Sequence, residues 1–398
     1  MLFAVNRSRL THGLDLANSN GIEIGPLVNP IVRRTDGNIK YVDRASTAEL
    51  RKWYSRDDKI NIDEIMEIDY IWGEQSLTEA TGGTEQFDYC IASHVIEHIP
   101  DLITWLGEIS SILKTGGVAC FAVPDKRFTF DYLRSLTTTS DLVDNFLNKL
   151  RKPSFRHIYD HFSNFAELDI QTAWSNDFDG SSLSPLNSPA KAYSACVDSI
   201  DGDKYVDSHC SVLTQDSFFP LLESISELGL LDFSIKRSFG VKHGMFEFVV
   251  QLEKLDPALI FEKKHQAFKT SFETMNNSAL LVNYSSNKLG VPKIYYDFGQ
   301  GFNETETESI QYNEVDEEVQ LKFTLPLVDE LNLRFDPSDH ECDFNISKLT
   351  LIDHSGRNSI PLTNIQVLNE IERTSMSSKG WSASSSRNAT DPSVLIKI

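Results

Sequence analysis

Two short stretches constrain this chain more than any others: Gly21-Ile-Glu-Ile-Gly-Pro26 and Phe87-Asp-Tyr-Cys-Ile-Ala-Ser-His-Val-Ile-Glu-His98. The first reads as a buried strand ending in an acidic residue and a tight glycine turn. The second reads as a strand that runs straight into a helix. In an open α/β sheet such strand ends lie side by side, and ligands bind in the crevice beyond them. Between them, Tyr41-Val-Asp43 is a strand tip closed by a carboxylate. It follows the glycine turn by about 20 residues, the spacing at which an acid meets ribose hydroxyls. The pattern points to a nucleoside-containing cofactor.

The rest of the first half alternates accordingly. Residues 20–25 and 39–43 predict the first two strands, with the glycine turn opening a helix between them. Asp57 to Ile65 predicts a polar helical stretch, and Glu67 to Trp72 a third strand with its loop. Phe87 to Ala92 is strand four. Leu102 to Leu113 carries apolar residues at helical spacing, with Asp101 as N-cap and Gly116-Gly117 breaking the chain after it. Val118 to Val123 is uninterruptedly apolar, as a strand covered on both faces should be. Thr214 to Gly229 predicts a helix capped at Thr214, and Leu231–Val241 and Met245–Leu252 a hairpin turning at Lys242-His-Gly244.

A long insertion, about residues 126–213, interrupts this alternation where a substrate cap would sit, and loops of such length are usually functional or disordered. Beyond Asp256 the character changes. A charged connecting helix runs to about Met275. Then Ile294-Tyr-Tyr296, Val319–Leu325, Leu331–Phe335, Lys348–Ile352 and Val394–Ile398 alternate as short strands between turn-rich segments, the spacing of an all-β sandwich. Thr374 to Asn388 is Ser-rich and predicts a mobile loop. The expected organisation is a domain over 1–255 with its cap, a helical linker over 256–285 and a β-sandwich accessory domain over 286–398.

A chain of 398 residues with 40% apolar and 24% charged residues is long enough for two globular domains. Its formal charge of −21 argues against nucleic-acid binding, which requires a basic face, and against docking on anionic lipid. No apolar run approaches the roughly 18 residues a membrane span needs, and the first residues are too short and polar for a secretion signal. The five cysteines, at 90, 120, 196, 210 and 342, show no Cys-x-x-Cys spacing, so neither a disulfide framework nor a structural zinc site is expected. A cytoplasmic protein is expected, reaching the inner membrane only through partners.

The order Glu23-Ile-Gly25, Asp43, Asp69, Phe87-Asp88 to His98 and Leu113-Lys-Thr-Gly-Gly117 resembles a class I S-adenosylmethionine-dependent methyltransferase. Val123-Pro-Asp-Lys-Arg-Phe-Thr-Phe-Asp131 and Asp207-Ser-His-Cys-Ser-Val-Leu-Thr214 are similar to the bacterial methyltransferases of surface-polysaccharide gene clusters. The resemblance covers roughly residues 20 to 255. It implies a Rossmann-like sheet of seven mostly parallel strands closed by an antiparallel hairpin, and S-adenosylmethionine as cofactor. By the same resemblance Gly25-Pro26 gives backbone access, Glu23 faces the methionine end or holds the loop, Asp43 binds the ribose and Asp69 the adenine. Ser93 and His94 would flank the methionine moiety. One departure is that Gly25-Pro26-Leu27 holds fewer glycines than the family's turn.

The implied acceptor is a sugar hydroxyl of a surface glycan or its precursor, whose high pKa calls for a general base. His209 is the preferred base, oriented by Asp207 or Asp160, with His161, His157 and His94 as further candidates. The pair His157 and His161 is spaced to share a helix face. With Asp160, Asp207 and His209 they make an acid/base cluster or a divalent-metal site, and the acid/base reading is preferred, with no metal. Lys126, Arg127 and Asp131, just past strand five, are candidates for acceptor binding. Alternatives are a small-molecule acceptor, a non-catalytic assembly protein partnering glycosyltransferases, and a dehydrogenase, which the absence of Gly-x-Gly-x-x-Gly disfavours. The C-terminal β-domain is a candidate surface for self-association.

Overall fold

The computed structural model describes residues 7–175, 178–200, 205–242, 244–297, 302, 307–326, 332–353, 356–386, 389 and 391–397. His243 of the expected hairpin turn, Leu331, the end of the Ser-rich stretch and Ile398 lie outside them. The chain divides into two compact units, Met1–Ser271 and Phe272–Ile398.

The first unit is built on one sheet. Its strands are β1 (Asn20–Ile24), β2 (Asn38–Asp43), β3 (Tyr70–Ile71), β4 (Phe87–Ser93), β5 (Leu113–Pro124), β6 (Phe233–Phe239) and β7 (Glu247–Lys254). They lie in the order β3-β2-β1-β4-β5-β7-β6. β1 pairs in parallel with both β2 and β4, and β4 with β5, while β7 is antiparallel to β5 and β6. The order reverses between β1 and β4, so the ends of β1, β2 and β4 open on one crevice. From Val118 to Val123 every β5 side chain is buried, as expected of a strand with helices on both faces. Trp105, from the helix Leu102–Ile112, packs its ring 5.4 Å from that of Phe121. Asp101 caps this helix by accepting from Thr104 N, and Thr214 caps the helix Gln215–Glu227, whose chain turns at Gly229 with φ +75°.

Several expected elements differ. No helix follows the glycine turn: residues 25–37 are irregular chain. Pro26 and Pro30 lack the N–H that a helix interior requires, and Glu23, from inside β1, accepts the N–H groups of Ile31 (2.7 Å) and Val32 (3.0 Å). The helix after β2 is instead Thr47–Trp53, started by a Ser46/Glu49 capping box, and the polar stretch at 57–65 holds only a single turn, Ile62–Glu64. Strand three shrinks to two residues.

Residues 126–213 fold into short helices, including Thr139–Leu147, Phe155–Ser163 and Pro189–Asp198. Trp174 ties this insertion to the sheet side, stacking on Phe128 at 4.3 Å and donating to Met245 O.

The expected linker 256–285 is helical only over Phe261–Asn277, because its last third is the first strand of the second unit. That unit comprises β8 (Ala279–Ser286), β9 (Lys293–Asp297), β10 (Thr307–Ser309), β11 (Val319–Thr324), β12 (Asn332–Asp336), β13 (Asp343–Asp353), β14 (Gly356–Ile360), β15 (Ile365–Asn369), β16 (Ile371–Ser377), β17 (Gly380–Ser385) and β18 (Ser393–Lys397). They form two antiparallel sheets, β10-β9-β12-β18-β15 and β11-β8-β13-β17-β16 with β14 beside β13. Tyr284 of β8 meets Phe335 of β12 edge-on at 5.7 Å and sends its hydroxyl to Pro337 O. The Ser-rich stretch is not a loop: most of it is the β16–β17 hairpin, turned at Gly380 with φ +121°. A Cβ at Gly380 would sit 2.5 Å from Ile346 O, so the turn requires glycine.

Candidate active site

The strand ends place the expected cofactor residues around the crevice unequally. Gly25 takes φ +69° directly after β1, donates its N–H to Val42 O, and a Cβ there would lie 3.1 Å from Val95 Cγ2. Its conformation and the close approach of the β4 loop both favour glycine. Asp43 ends β2. Burial pushes its carboxyl up to about 6, against the backbone N–H groups of Arg44 and Ala45 that it accepts. A desolvated carboxylate at a strand tip, with only main-chain donors for it among the described residues, suits a ligand that brings hydroxyls. Ser93 closes β4, and His94 follows with φ +55°, a conformation uncommon outside glycine.

Two expectations change. Both oxygens of Glu23 are spent on Ile31 and Val32, so this buried residue, its carboxyl pushed up to about 7 by burial, holds the 26–37 chain. Pro26 is buried within that same loop. Asp69 does not reach the crevice: it precedes β3, accepts from Tyr41 N at 2.8 Å, and pairs with Arg34 and Lys40.

The second half of the site lies where the insertion crosses the β4 end. Cys210 N and Ser211 N both donate to Glu97 O, laying the 207–211 segment over the turn Ile96–His98. His98 Nδ1 lies 2.8 Å from Asp207 Oδ1 and His209 Nδ1 2.5 Å from Asp131 Oδ2, with the two rings edge to face at 4.7 Å. Arg134, buried and not singled out in the sequence, ties the insertion together. It donates to Asp131 Oδ1, to Asp160 Oδ2 and to His209 O, each within 2.9 Å. Its only sequence signal is its place three residues after Asp131.

This geometry reassigns the carboxylates. His209 is oriented by Asp131, not by Asp207 or Asp160, and Asp131 is a buried partner of His209 and Arg134, not an exposed acceptor contact. Burial would raise the Asp131 carboxyl, but His209 and Arg134 together hold it down at about 2. Burial would lower His98, yet its bond to Asp207 and the charge of Glu97 push it up to about 8. His157 leaves the candidate set. Its Nδ1 accepts Ser154 N in a helix cap, and burial, with Arg134 and Arg156 nearby, lowers it to about 4. His161 stays beside His209, accepting its N–H, and burial together with the charges of His209 and Arg134 lowers it to about 4. His94 Nδ1 lies 3.5 Å from Glu97 Oε1, which with Glu247 outweighs burial and raises its pKa. Arg127 forks onto buried Asp125, and Lys126 lies 5.8 Å from the Tyr132 ring. Arg44 stacks 3.6 Å over Tyr205, joining the Asp43 side of the crevice to the chain that leads into Asp207.

Residues 18–176 match the family model of a methyltransferase domain. No curated protein matches the chain. Among solved structures, an S-adenosylmethionine-dependent methyltransferase from Mesorhizobium loti is 10% identical, over 60% of this chain and 93% of that one, with a TM-score of 0.31. The 1,6-didemethyltoxoflavin-N1-methyltransferase of Burkholderia thailandensis, solved with S-adenosylhomocysteine, is 12% identical over 64% and 78%, with a TM-score of 0.32. The chain spans about half the length of two carbon methyltransferases, CurJ and DszA, that it also resembles. The matched span takes in β1 to β5, Asp43 and the His94–His98 turn, so the crevice belongs to the part of the chain that matches a methyltransferase domain.

Proposed function

We propose that the protein methylates a hydroxyl oxygen of a surface glycan or glycan precursor, as bacterial polysaccharide-cluster methyltransferases do. Asp43 accepts the ribose hydroxyls, Gly25 lets the main chain approach the donor, and Ser93 and His94 flank its methionine part. When bound, the donor supplies an electrophilic methyl group on a sulfonium. The protein's task is to hold the acceptor oxygen about 3 to 3.5 Å from that carbon, in line with the bond that breaks.

The observation that carries this reading is the carboxylate-backed imidazole His209. Asp131 holds its Nδ1–H, which leaves Nε2 to take the acceptor proton. The acidic balance of the chain disfavours a polyanionic acceptor. The insertion over the crevice and a polar groove in the second unit favour a sugar chain. In this reading the two sheets of that unit form an accessory β-sandwich that engages acceptor, a second copy or a pathway glycosyltransferase, and the protein works in the cytoplasm.

The test is transfer of labelled methyl from S-adenosylmethionine by the purified full chain to fractionated cell-envelope glycans. Label should enter a glycan fraction, and His209→Ala should reduce the rate by about 10²–10⁴-fold, the usual worth of a general base. Label found only in small metabolites would replace the glycan with a small-molecule acceptor. Failure to bind S-adenosylhomocysteine would remove the reading altogether.

A further inference from the structure

We propose that Glu97, His98 and His209 form a binding site for one divalent first-row transition-metal ion. One ligand atom from each of the three lies within 4.8 Å of the others. Both imidazoles have Nδ1 committed to a carboxylate, His98 to Asp207 and His209 to Asp131, which leaves Nε2 as the coordinating nitrogen. That is how proteins orient and strengthen metal-binding histidines. The third member supplies an independent observation. Glu97 is 2% exposed; its Oε1 lies 3.5 Å from His94 Nδ1 and 3.9 Å from His98 Nε2, while its Oε2 is a buried oxygen with no hydrogen-bond partner. A buried carboxylate oxygen left without a donor is destabilising, and a cation bound by the three groups would give Glu97 a compensating charge.

Asp131, His161 and His209 also lie within 4.8 Å of one another. There, however, Asp131 is already met by Arg134 at 2.8 Å and by His209, and His161 Nδ1 accepts the backbone N–H of His209. In the Glu97 trio His94 meets Oε1 alone, and Oε2 is left without a hydrogen bond. Two imidazole nitrogens and one carboxylate suit Mn²⁺, Fe²⁺, Co²⁺, Ni²⁺ or Zn²⁺, whereas Mg²⁺ and Ca²⁺ favour all-oxygen sites. Three protein ligands leave coordination positions open.

The ion's role rests on the methyl-transfer reading; the binding itself does not. An acceptor hydroxyl bound to the ion has a lowered pKa. Its proton leaves to solvent, its oxygen bonds to the methyl carbon, and the carbon–sulfur bond breaks with the electron pair going to sulfur. His209 then holds the ion instead of taking the proton.

The full chain, stripped with chelator and dialysed, is titrated with Co²⁺ and followed by visible absorption. S-adenosylhomocysteine binding is measured on the same samples. The expected result is about one Co²⁺ per chain, with affinity reduced at least 100-fold in Glu97→Gln and in His209→Asn. Asp207→Asn keeps all three ligands and alters a side chain that is 65% exposed. It should weaken the metal about 10–100-fold, the effect of losing such a supporting partner, even where the ligand variants fold poorly. Co²⁺ uptake absent in the wild type, or equal in wild type and all three variants, overturns the site. Full turnover by the stripped chain overturns the ion's role and returns His209 to the base. Loss of S-adenosylhomocysteine binding by the wild type would instead sink the methyl-transfer reading, leaving the Co²⁺ result to stand alone.

Discussion

Asp43, the proposed ribose contact, is kept at a cost to the fold. Its carboxyl is raised from 3.8 to about 6 by burial, so the folded chain holds that proton more tightly than the unfolded one does. The resulting stability is fully present below the unfolded value near 3.8 and is lost as pH rises through about 6. Above that, the ionised carboxylate lowers stability by something on the order of 1–3 kcal/mol, at about 1.4 kcal/mol per pH unit of displacement. Asp43→Asn should therefore melt a few degrees higher than wild type at pH 7.5, while binding S-adenosylhomocysteine at least ten times more weakly. Paired thermal melts and calorimetric titrations check both arms. A variant that binds the ligand as well as wild type would remove Asp43 from the ribose site. Its place at the end of β2 was legible because its distance from Gly25 is a property of the chain. The partners of His209 were not. Asp207 is two residues away but lies in irregular chain stretched over the Glu97 carbonyl, and the acid that does reach the ring, Asp131, comes from the far side of the insertion.

At the scale of elements, the loop over 26–37 depends on one side chain. Glu23 gives both oxygens to Ile31 N and Val32 N inside the protein, and an alanine there leaves two buried donors unmet. At about 1–3 kcal/mol each, Glu23→Ala should lose roughly 2–6 kcal/mol in urea unfolding and weaken donor binding by loosening the chain beside Gly25. Stability unchanged to within experimental scatter would show that the loop is held by something else. The sequence pattern anticipated a helix here because a glycine turn after β1 ordinarily opens one. What decided otherwise was a long-range bond from inside a strand, invisible to any local window, with Pro26 and Pro30 adding to it. The parallel strands were readable because burial on both faces writes itself as an apolar run. The β16–β17 hairpin was not, since its serines alternate too weakly to announce a strand.

For the whole molecule, the question is why a chain whose first unit matches a methyltransferase domain over residues 18–176 carries a second unit of two antiparallel sheets. That unit has a groove of about 760 Å³ lined by Asn287, Asp316, Asp343, Asn345, Glu372 and Arg373 among others. Amide, carboxylate and guanidinium groups along an open groove are suited to sugar hydroxyls, and its charges are mostly acidic, as is the chain at −21. If the groove holds part of a long acceptor while another part enters the active site, the second contact becomes intramolecular and lowers KM only for acceptors long enough to reach both. Glu372 and Arg373 sit exposed on β16, where substitution costs the fold little. The double variant Glu372→Ala, Arg373→Ala should raise KM for a polymeric acceptor about fivefold, the equivalent of about 1 kcal/mol. Its kcat, and both constants for a short acceptor, should not change. Steady-state kinetics on the full chain, with long and short acceptors side by side, are the measurement. Equal KM changes for long and short acceptors would mean that the substitutions act through the fold. No change for either would separate the groove from catalysis and leave self-association, read by sedimentation of the same variant, as the role to test for the second unit.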